Sequence, residues 1–437
     1  MDFLDWYDWR MLDRSQHWIF AAAVAVAIAC RIWLALLTYG TNDATTFEAY
    51  SRVIRNHGEL SLYGSVIQAQ DPSGKHHYPE IYSHPPFLVW VLSAFNRFDD
   101  WTGLPLHSSL RLLNAAADLG SILLTAAILS HIIGSVPFWS IIVVTLAPSW
   151  LFISGFHCNT DPLMLFFLVL SVYLLDVRRW TALGILSFAL ATGIKLVPLL
   201  LIPLLLFWLR NWTDRVRAVV ILGAFWIVTA MPWLIHNPWG MLRGTLGYAG
   251  SASHWGLGLV LRHLPFIGPD LGKGFNASGR YILLLTLTLV GWKLNRNGPR
   301  IALFCQFGIS FFLILLLMPG FGIQYLLWLT PWLAILPWRA AAIHLAASAA
   351  FCTVTYTYLC GGLPWYYACG FISDMKSSTW LDITWLGITS RSIDGLGLTT
   401  WLTVCFILVV YWWQLRAGGL GLSDNPIVRS PNAHVSI

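Results

Sequence analysis

The sequence predicts an all-α, polytopic membrane protein: a bundle of about 12 transmembrane helices with a large first external loop that contains interfacial helices. Three observations predict it. Hydrophobic residues make up 57% of the 437 residues and charged residues only 11%, whereas a soluble domain carries roughly 25% charged residues. The mean hydropathy is +0.65, so most side chains face lipid or other buried helices. The 25 tryptophans suit membrane interfaces, where an apolar ring with one N–H is at home. The formal charge of +6 is small and scattered, which argues for membrane topology and against a nucleic-acid surface. Seven cysteines lie mostly within apolar runs and form no CxxC pair, so they point to no metal site.

Apolar runs fall at about 17–38, 110–133, 137–155, 160–176, 180–194, 196–209, 217–235, 280–294, 301–318, 323–338, 340–359 and 396–415. Several are shorter than the roughly 20 residues of a full crossing. The run Pro85–Phe98 is short and begins with two prolines, which marks it as a helix in the interface. Basic residues test this choice. With a cytoplasmic amino terminus and a non-crossing Pro85–Phe98, the clusters Arg178–Arg179, Arg210–Arg215–Arg217 and Lys293–Arg296–Arg300 all fall in cytoplasmic loops, as the positive-inside rule requires. The outside then receives a loop at 40–109, the bend "FHCNTDP" at 156–162, loops at 236–279 and 360–393, and the turn "PGFGIQY" at 319–325. The chain is expected to form a single membrane unit, with a module over 1–235 and variable helices and external loops over 236–437.

Nearly all residues suited to chemistry lie on that outer side. In "YGTNDATTFEAY" Asp43 and Glu48 stand among amides and hydroxyls where the first apolar run ends. Asp43 reads either as a solvated acid past a helix end or as a carboxylate that accepts a proton from an incoming hydroxyl. In "YPEIYSHPPF" the paired prolines fix the backbone and hold Tyr82 and His84 at the re-entry point, as an aromatic interfacial cluster or as part of a site. Asn159 and Asp161 lie in "FHCNTDP", where an acid before proline is also an ordinary helix start. Lys195 interrupts about 30 apolar residues, and an ionisable residue so placed is a functional candidate by default; a phosphate group is its natural partner. The loop at 236–279 offers His254 and Arg262, and the turn at 319–325 offers Gln324 and Tyr325. Arg111 and Asp118, seven apart in one run, read as a structural ion pair, and Arg31 as a residue that pairs likewise. "NAS" at Asn276 is a glycosylation sequon in a eukaryotic setting. There is no Walker loop, no GxGxxG after a strand, no HExxH and no DxD.

Taken in order, "TNDATTFEAYSRVIRNHGELSLYG", "YSHPPFLVWVLSAF", "APSWLFISGFHCNTDPLMLFF", "GIKLVPLLLIPLLLF" and "FGIQYLLWLTPW" resemble the GT-C superfamily of membrane glycosyltransferases, closest to its polyprenyl-phosphate-mannose-dependent mannosyltransferases. The likeness covers the first half well and the last third weakly. It implies a GT-C-like bundle and transfer of a sugar, mannose first among candidates, with inversion from a polyprenyl-phosphate donor to a lipid-linked or glycan hydroxyl. It makes Asp43 the catalytic base and Lys195 the cation near the donor phosphate, with His254 or Arg262 beside it. Glu48, Tyr82, His84, Asn159, Asp161, Gln324 and Tyr325 become substrate-binding candidates. Some relatives carry DxD after the first span; here Thr41 and Asn42 precede a single acid, so neither a metal nor another cofactor is expected. The expected setting is a bacterial inner membrane with the site facing the periplasm, or an endoplasmic-reticulum membrane with a lumenal site, and the expected partners are the donor, the acceptor and membrane lipids, with no nucleic acid. A secondary transporter or lipid flippase shares the spans and intramembrane charges, but no internal repeat of the transporter kind is visible.

Overall fold

A computed structural model describes residues 14–68, 81–134, 136–247, 254–296, 301–360, 362–363, 365, 381–383 and 385–416. Tyr78–Glu80, in the segment before the double proline, and much of the loop at 360–393 lie outside these residues.

The chain is helical almost throughout. The first apolar run forms α1 (Arg14–Leu37), and α2 (Asn42–His57) follows after a short break. Thr41 caps α2, its hydroxyl accepting from the Asp43 amide at 3.3 Å and donating to the His157 carbonyl at 2.6 Å. That cap fixes Asp43 in the first turn, where the helix dipole favours a negative charge. The double proline does what its rigid backbone dictates: Pro85 caps and Pro86 opens α3 (Pro86–Thr102). Gly103, with φ 73°, stops α3, and Pro105 opens α4 (Leu106–Ile133). With 17 residues, α3 is not among the helices long enough to cross.

The next run is broken into α5 (Phe138–Thr145), α6 (Pro148–Phe152) and a π-helical turn, Ile153–His157. Cys158 then turns the chain in a left-handed conformation, φ 63°, and α7 (Asp161–Val172) begins. α8 (Thr181–Ile194) ends where Lys195 becomes extended, φ −150°. Prolines 198 and 203 follow, so a 3₁₀ turn precedes α9 (Ile202–Trp208). α10 (Trp212–His236) leads into the loop expected at 236–279, which is itself helical: α11 (Pro238–Leu246), α12 (Gly256–Arg262) and the start of α13 (Gly268–Arg296). Asn276 lies within α13. α14 (Leu303–Leu317), a 3₁₀ segment Ile323–Leu329, α15 (Thr330–Leu333), α16 (Trp338–Leu359) and α17 (Ser390–Arg416) complete the bundle. A two-residue hairpin pairs Gly362 with Asp382 and Leu363 with Leu381.

Each expected apolar run coincides with helix. Six stretches among the described residues are long and apolar enough to cross a membrane: 15–37, 106–133, 138–157, 212–236, 338–359 and 390–416. The helices at 181–194, 197–208 and 303–317 are shorter, the first two being parted at Lys195 and Pro198. A polytopic α-helical membrane protein is the result.

One expected contact is corrected. Arg111 and Asp118 do not pair, because seven residues of helix put them about 10.5 Å apart along the axis. Arg111 instead donates to the last carbonyls of α1, at Ala35 (2.9 Å) and Thr38 (2.6 Å), where a cation complements the helix end. Asp118 pairs with Arg31 of α1 at 3.1 Å, both almost fully buried, and Arg31 also meets Ser154 at 3.0 Å. These contacts lock α1, α4 and the π turn together beside the site.

Candidate active site

Five segments far apart in sequence meet at one end of the bundle: the start of α2, the π turn and start of α7, the end of α8, the 3₁₀ segment at 323–329, and the end of α16. Their polar side chains form one network. The Asp43 carboxylate receives Asn159 Nδ2 at 2.6 Å and His157 Nε2 at 3.1 Å, both on Oδ2. The Asn159 carbonyl oxygen accepts from Lys195 Nζ at 3.3 Å and from the Thr160 amide at 2.6 Å, which fixes the amide so that its NH₂ faces Asp43. Lys195 Nζ meets Asp161 Oδ2 at 2.5 Å, and Trp328 Nε1 donates to the other Asp161 oxygen at 2.6 Å.

The chain holds these groups without exposing them broadly. Asp161 is fully buried, Lys195 keeps 13% of its side-chain surface and Asp43 29%. The access is therefore on the Asp43 side. Lys195 sits 5.1 Å over the Tyr325 ring and 5.8 Å over that of Trp328, and the two rings stack at 4.1 Å. An ammonium desolvated against aromatic faces and held by one carboxylate is strongly oriented. An ammonium has three protons to donate, and Asp161 and Asn159 take two.

Burial alone would push the Asp43 carboxyl up. The contact with His157, then Asn159 and the Lys195 cation, outweigh it and hold Asp43 below its ordinary value. Asp43 is therefore ionised at neutral pH. His84 behaves in the opposite way: burial, reinforced by the Lys195 cation and opposed by Asp43, lowers it to about 4, so its ring is neutral. It lies against Phe47 (5.5 Å), Tyr82 (5.6 Å) and Tyr50 (6.1 Å). Tyr82 is buried, its ring edge-on to Tyr50 at 4.9 Å and to Tyr63 at 5.0 Å. The Tyr63 hydroxyl donates to the His84 carbonyl at 2.5 Å. This aromatic wall rises beside Asp43 as the double proline requires.

The structure thus brings together Asp43, Asn159, Asp161, Lys195 and Tyr325, with His84 and Tyr82 alongside. It holds others elsewhere. Glu48 accepts from the His107 amide at 3.2 Å and lies 2.9 Å from its Nδ1; with Arg52, Arg55, Asp99 and Asp100 it lines an open cleft of about 360 Å³ on another face of α2. His254 pairs with Asp394 at 2.6 Å, and Arg262 donates to the Gly258 carbonyl at 3.4 Å. The Gln324 amide folds over Gly322, where an added Cβ would meet it at 2.6 Å. Three residues of the network escape sequence reasoning: His157, Trp328 and Tyr356, whose hydroxyl lies 2.9 Å from His157 Nδ1. His157 stands inside the "FHCNTDP" bend and is legible there as a polar neighbour of Asn159. Trp328 and Tyr356 lie in apolar runs that give no such signal. Among the described residues no group of three His, Cys, Asp or Glu side chains is arranged to hold a metal ion.

Comparison with known proteins bears on this geometry. Residues 114–249, which include Asn159, Asp161 and Lys195, match the family described as ALG3 protein. No curated protein sequence matches the chain. Among solved structures, ArnT from Cupriavidus metallidurans in the apo state is similar over 93% of this chain and 78% of its own, with 17% identity and a TM-score of 0.48. The family match spans 136 of the 437 residues.

Proposed function

We propose that the chain transfers mannose, with inversion, from a polyprenyl-phosphate donor to a hydroxyl of a lipid-linked or glycan acceptor, at the face of the membrane opposite the cytoplasm. One observation carries this: a single amide, Asn159, joins a partly exposed carboxylate to an oriented ammonium. Inverting transfer needs these two groups a short distance apart, one to take a proton and one to meet the leaving phosphate. The acceptor oxygen attacks the anomeric carbon as Asp43 removes its proton. The bond from that carbon to the phosphate oxygen breaks, and the phosphate leaves with the electron pair beside the third Lys195 proton. His84 and Tyr82 form an aromatic wall for the sugar, and Tyr325 holds Lys195 in place. Since His254 and Arg262 are engaged by other groups, Lys195 carries the phosphate role. One carboxylate suffices for this scheme, so no divalent metal is assigned.

The donor keeps its tail in the bilayer, so no soluble nucleotide-binding domain is required. The distribution of arginines and lysines supports the non-cytoplasmic side, either periplasmic or lumenal. The test is transfer by purified protein from labelled polyprenyl-phosphate mannose to a membrane lipid extract, with the anomeric configuration of the product determined. An inverted linkage supports the proposal. A retained linkage, or movement of a solute across liposomes with no covalent product, contradicts it.

A further inference from the structure

The Asp43 side chain has two oxygens in different circumstances. Oδ2 carries both contacts, from His157 at 3.1 Å and Asn159 at 2.6 Å, while among the described residues no hydrogen bond reaches Oδ1. His157 is itself held. Its side chain is 6% exposed, its carbonyl accepts from Thr41, the cap of the helix that bears Asp43, and its Nδ1 lies 2.9 Å from the hydroxyl of Tyr356. Tyr356 is fully buried on α16, wedged against Phe156 at 5.4 Å and Trp365 at 5.5 Å. A neutral imidazole has one N–H and one lone pair. An ionised Asp43 only accepts, so Nε2 carries the proton of a singly protonated ring, and Nδ1 then accepts from the Tyr356 hydroxyl.

We infer that His157 is a positioning residue for the catalytic base: Tyr356 fixes its tautomer, His157 with Asn159 pins Asp43 Oδ2, and Oδ1 is left as the atom that takes the acceptor proton. The assignment rests on the role of Asp43 given above. The chain of contacts runs from α16 through the π turn to α2, so a residue in the last third of the sequence sets the orientation of a carboxylate in the first tenth. The proton balance is simple. Asp43 Oδ1 gains the proton that the acceptor hydroxyl loses, and His157 keeps its own on Nε2 throughout. Once Asp43 is neutral, the Nε2–H···Oδ2 bond persists in weaker form, and the carboxyl returns its proton to solvent through its exposed edge. The titratable groups facing Asp43 are His157 and Cys158 of the bend, Lys195 after α8, His84 before α3 and Tyr356 of α16. Of these only His157 and Lys195 favour the ionised carboxylate, and only His157 touches it.

The experiment compares His157→Ala, His157→Gln, Tyr356→Phe and Asp43→Asn with the parent enzyme, measuring kcat, KM for labelled polyprenyl-phosphate mannose, and the pH profile of kcat/KM. His157→Ala is expected to lower kcat about 30- to 100-fold with KM for the donor little changed, because Asp43 is no longer oriented. Its acidic limb is expected to move up in pH, since the partner that held the carboxyl ionised is gone. His157→Gln, which retains an N–H donor, recovers part of kcat. Tyr356→Phe, a change of one hydroxyl, lowers kcat several-fold with the same sign of shift. A His157→Ala enzyme that is merely less abundant or less thermostable, with an unmoved acidic limb and full kcat per folded molecule, overturns the inference. If Asp43→Asn retains full kcat, the base assignment itself is wrong; if Asp43→Asn is inactive while His157→Ala and Tyr356→Phe are unaffected, Asp43 stands and the positioning role falls.

Discussion

Two buried ionic clusters lie close together in this protein and differ in their access from outside. Arg31–Asp118 joins α1 to α4 with both side chains sealed, at 2% and 1% exposure. Lys195–Asp161 also joins distant segments, but it continues through Asn159 to Asp43, whose side chain keeps 29% of its surface. In the first cluster Arg31 Nη2 and Asp118 Oδ1 lack hydrogen-bond partners among the described residues, but both atoms are buried. Among the described residues the second ends in an accessible carboxylate with an uncommitted oxygen and an ammonium with an uncommitted proton. Spare hydrogen-bonding capacity occurs in both clusters, so access is what separates them: a buried charge becomes a functional candidate where its spare capacity can be reached, and the sealed pair is cross-bracing.

That contrast is open to attack. Lys195→Met should reduce turnover by about 10²–10³-fold, the usual scale for losing a group that stabilises developing charge, and single-turnover rates with bound donor measure it. Arg31→Met leaves Asp118 buried without its partner and should destabilise by about 3–5 kcal/mol, read as a lower unfolding temperature in detergent, with turnover per folded molecule retained. If Arg31→Met instead abolished turnover in well-folded protein, the division between the clusters would collapse. On pH, Asp43 is held below its ordinary value, so its base form persists above that lowered value and is lost only as pH falls through it. With His84 neutral, its value near 4, kcat/KM should stay level from neutrality down to about pH 5, beneath the usual histidine range and above the usual aspartate value. A loss centred near pH 6.5 would make a histidine the titrating base. Glu48→Gln is the smallest change: Glu48 contacts His107 rather than Asp43, so kcat should fall less than about twofold, within the few tenths of a kcal/mol typical of changes outside a network.

Much of this was legible in the sequence for physical reasons. The double proline at 85–86 fixed the start of α3, and Lys195 with Pro198 marked the end of α8. The acids Asp43 and Asp161 stood at helix starts that their own chemistry favours. What stayed hidden depended on packing between distant helices. Nothing in an apolar run separates Trp328 or Tyr356 from tryptophans and tyrosines at a lipid interface, since their role comes from Asp161 and His157, more than 160 positions away. Spacing misled over Arg111 and Asp118, because one helix face does not mean one place along the axis. The loop cations His254 and Arg262 looked equivalent to Lys195 by charge, yet each is engaged by its own neighbour.

Asp43 as the base is the centre of the account, and one comparison tests it most directly. Donor binding and single-turnover transfer are measured side by side for the parent enzyme and Asp43→Asn, with labelled polyprenyl-phosphate mannose and saturating acceptor. The account predicts donor affinity within a few-fold of the parent and a transfer rate lower by about 10²–10⁴-fold, the range for a lost general base. Unchanged single-turnover transfer by Asp43→Asn would contradict it.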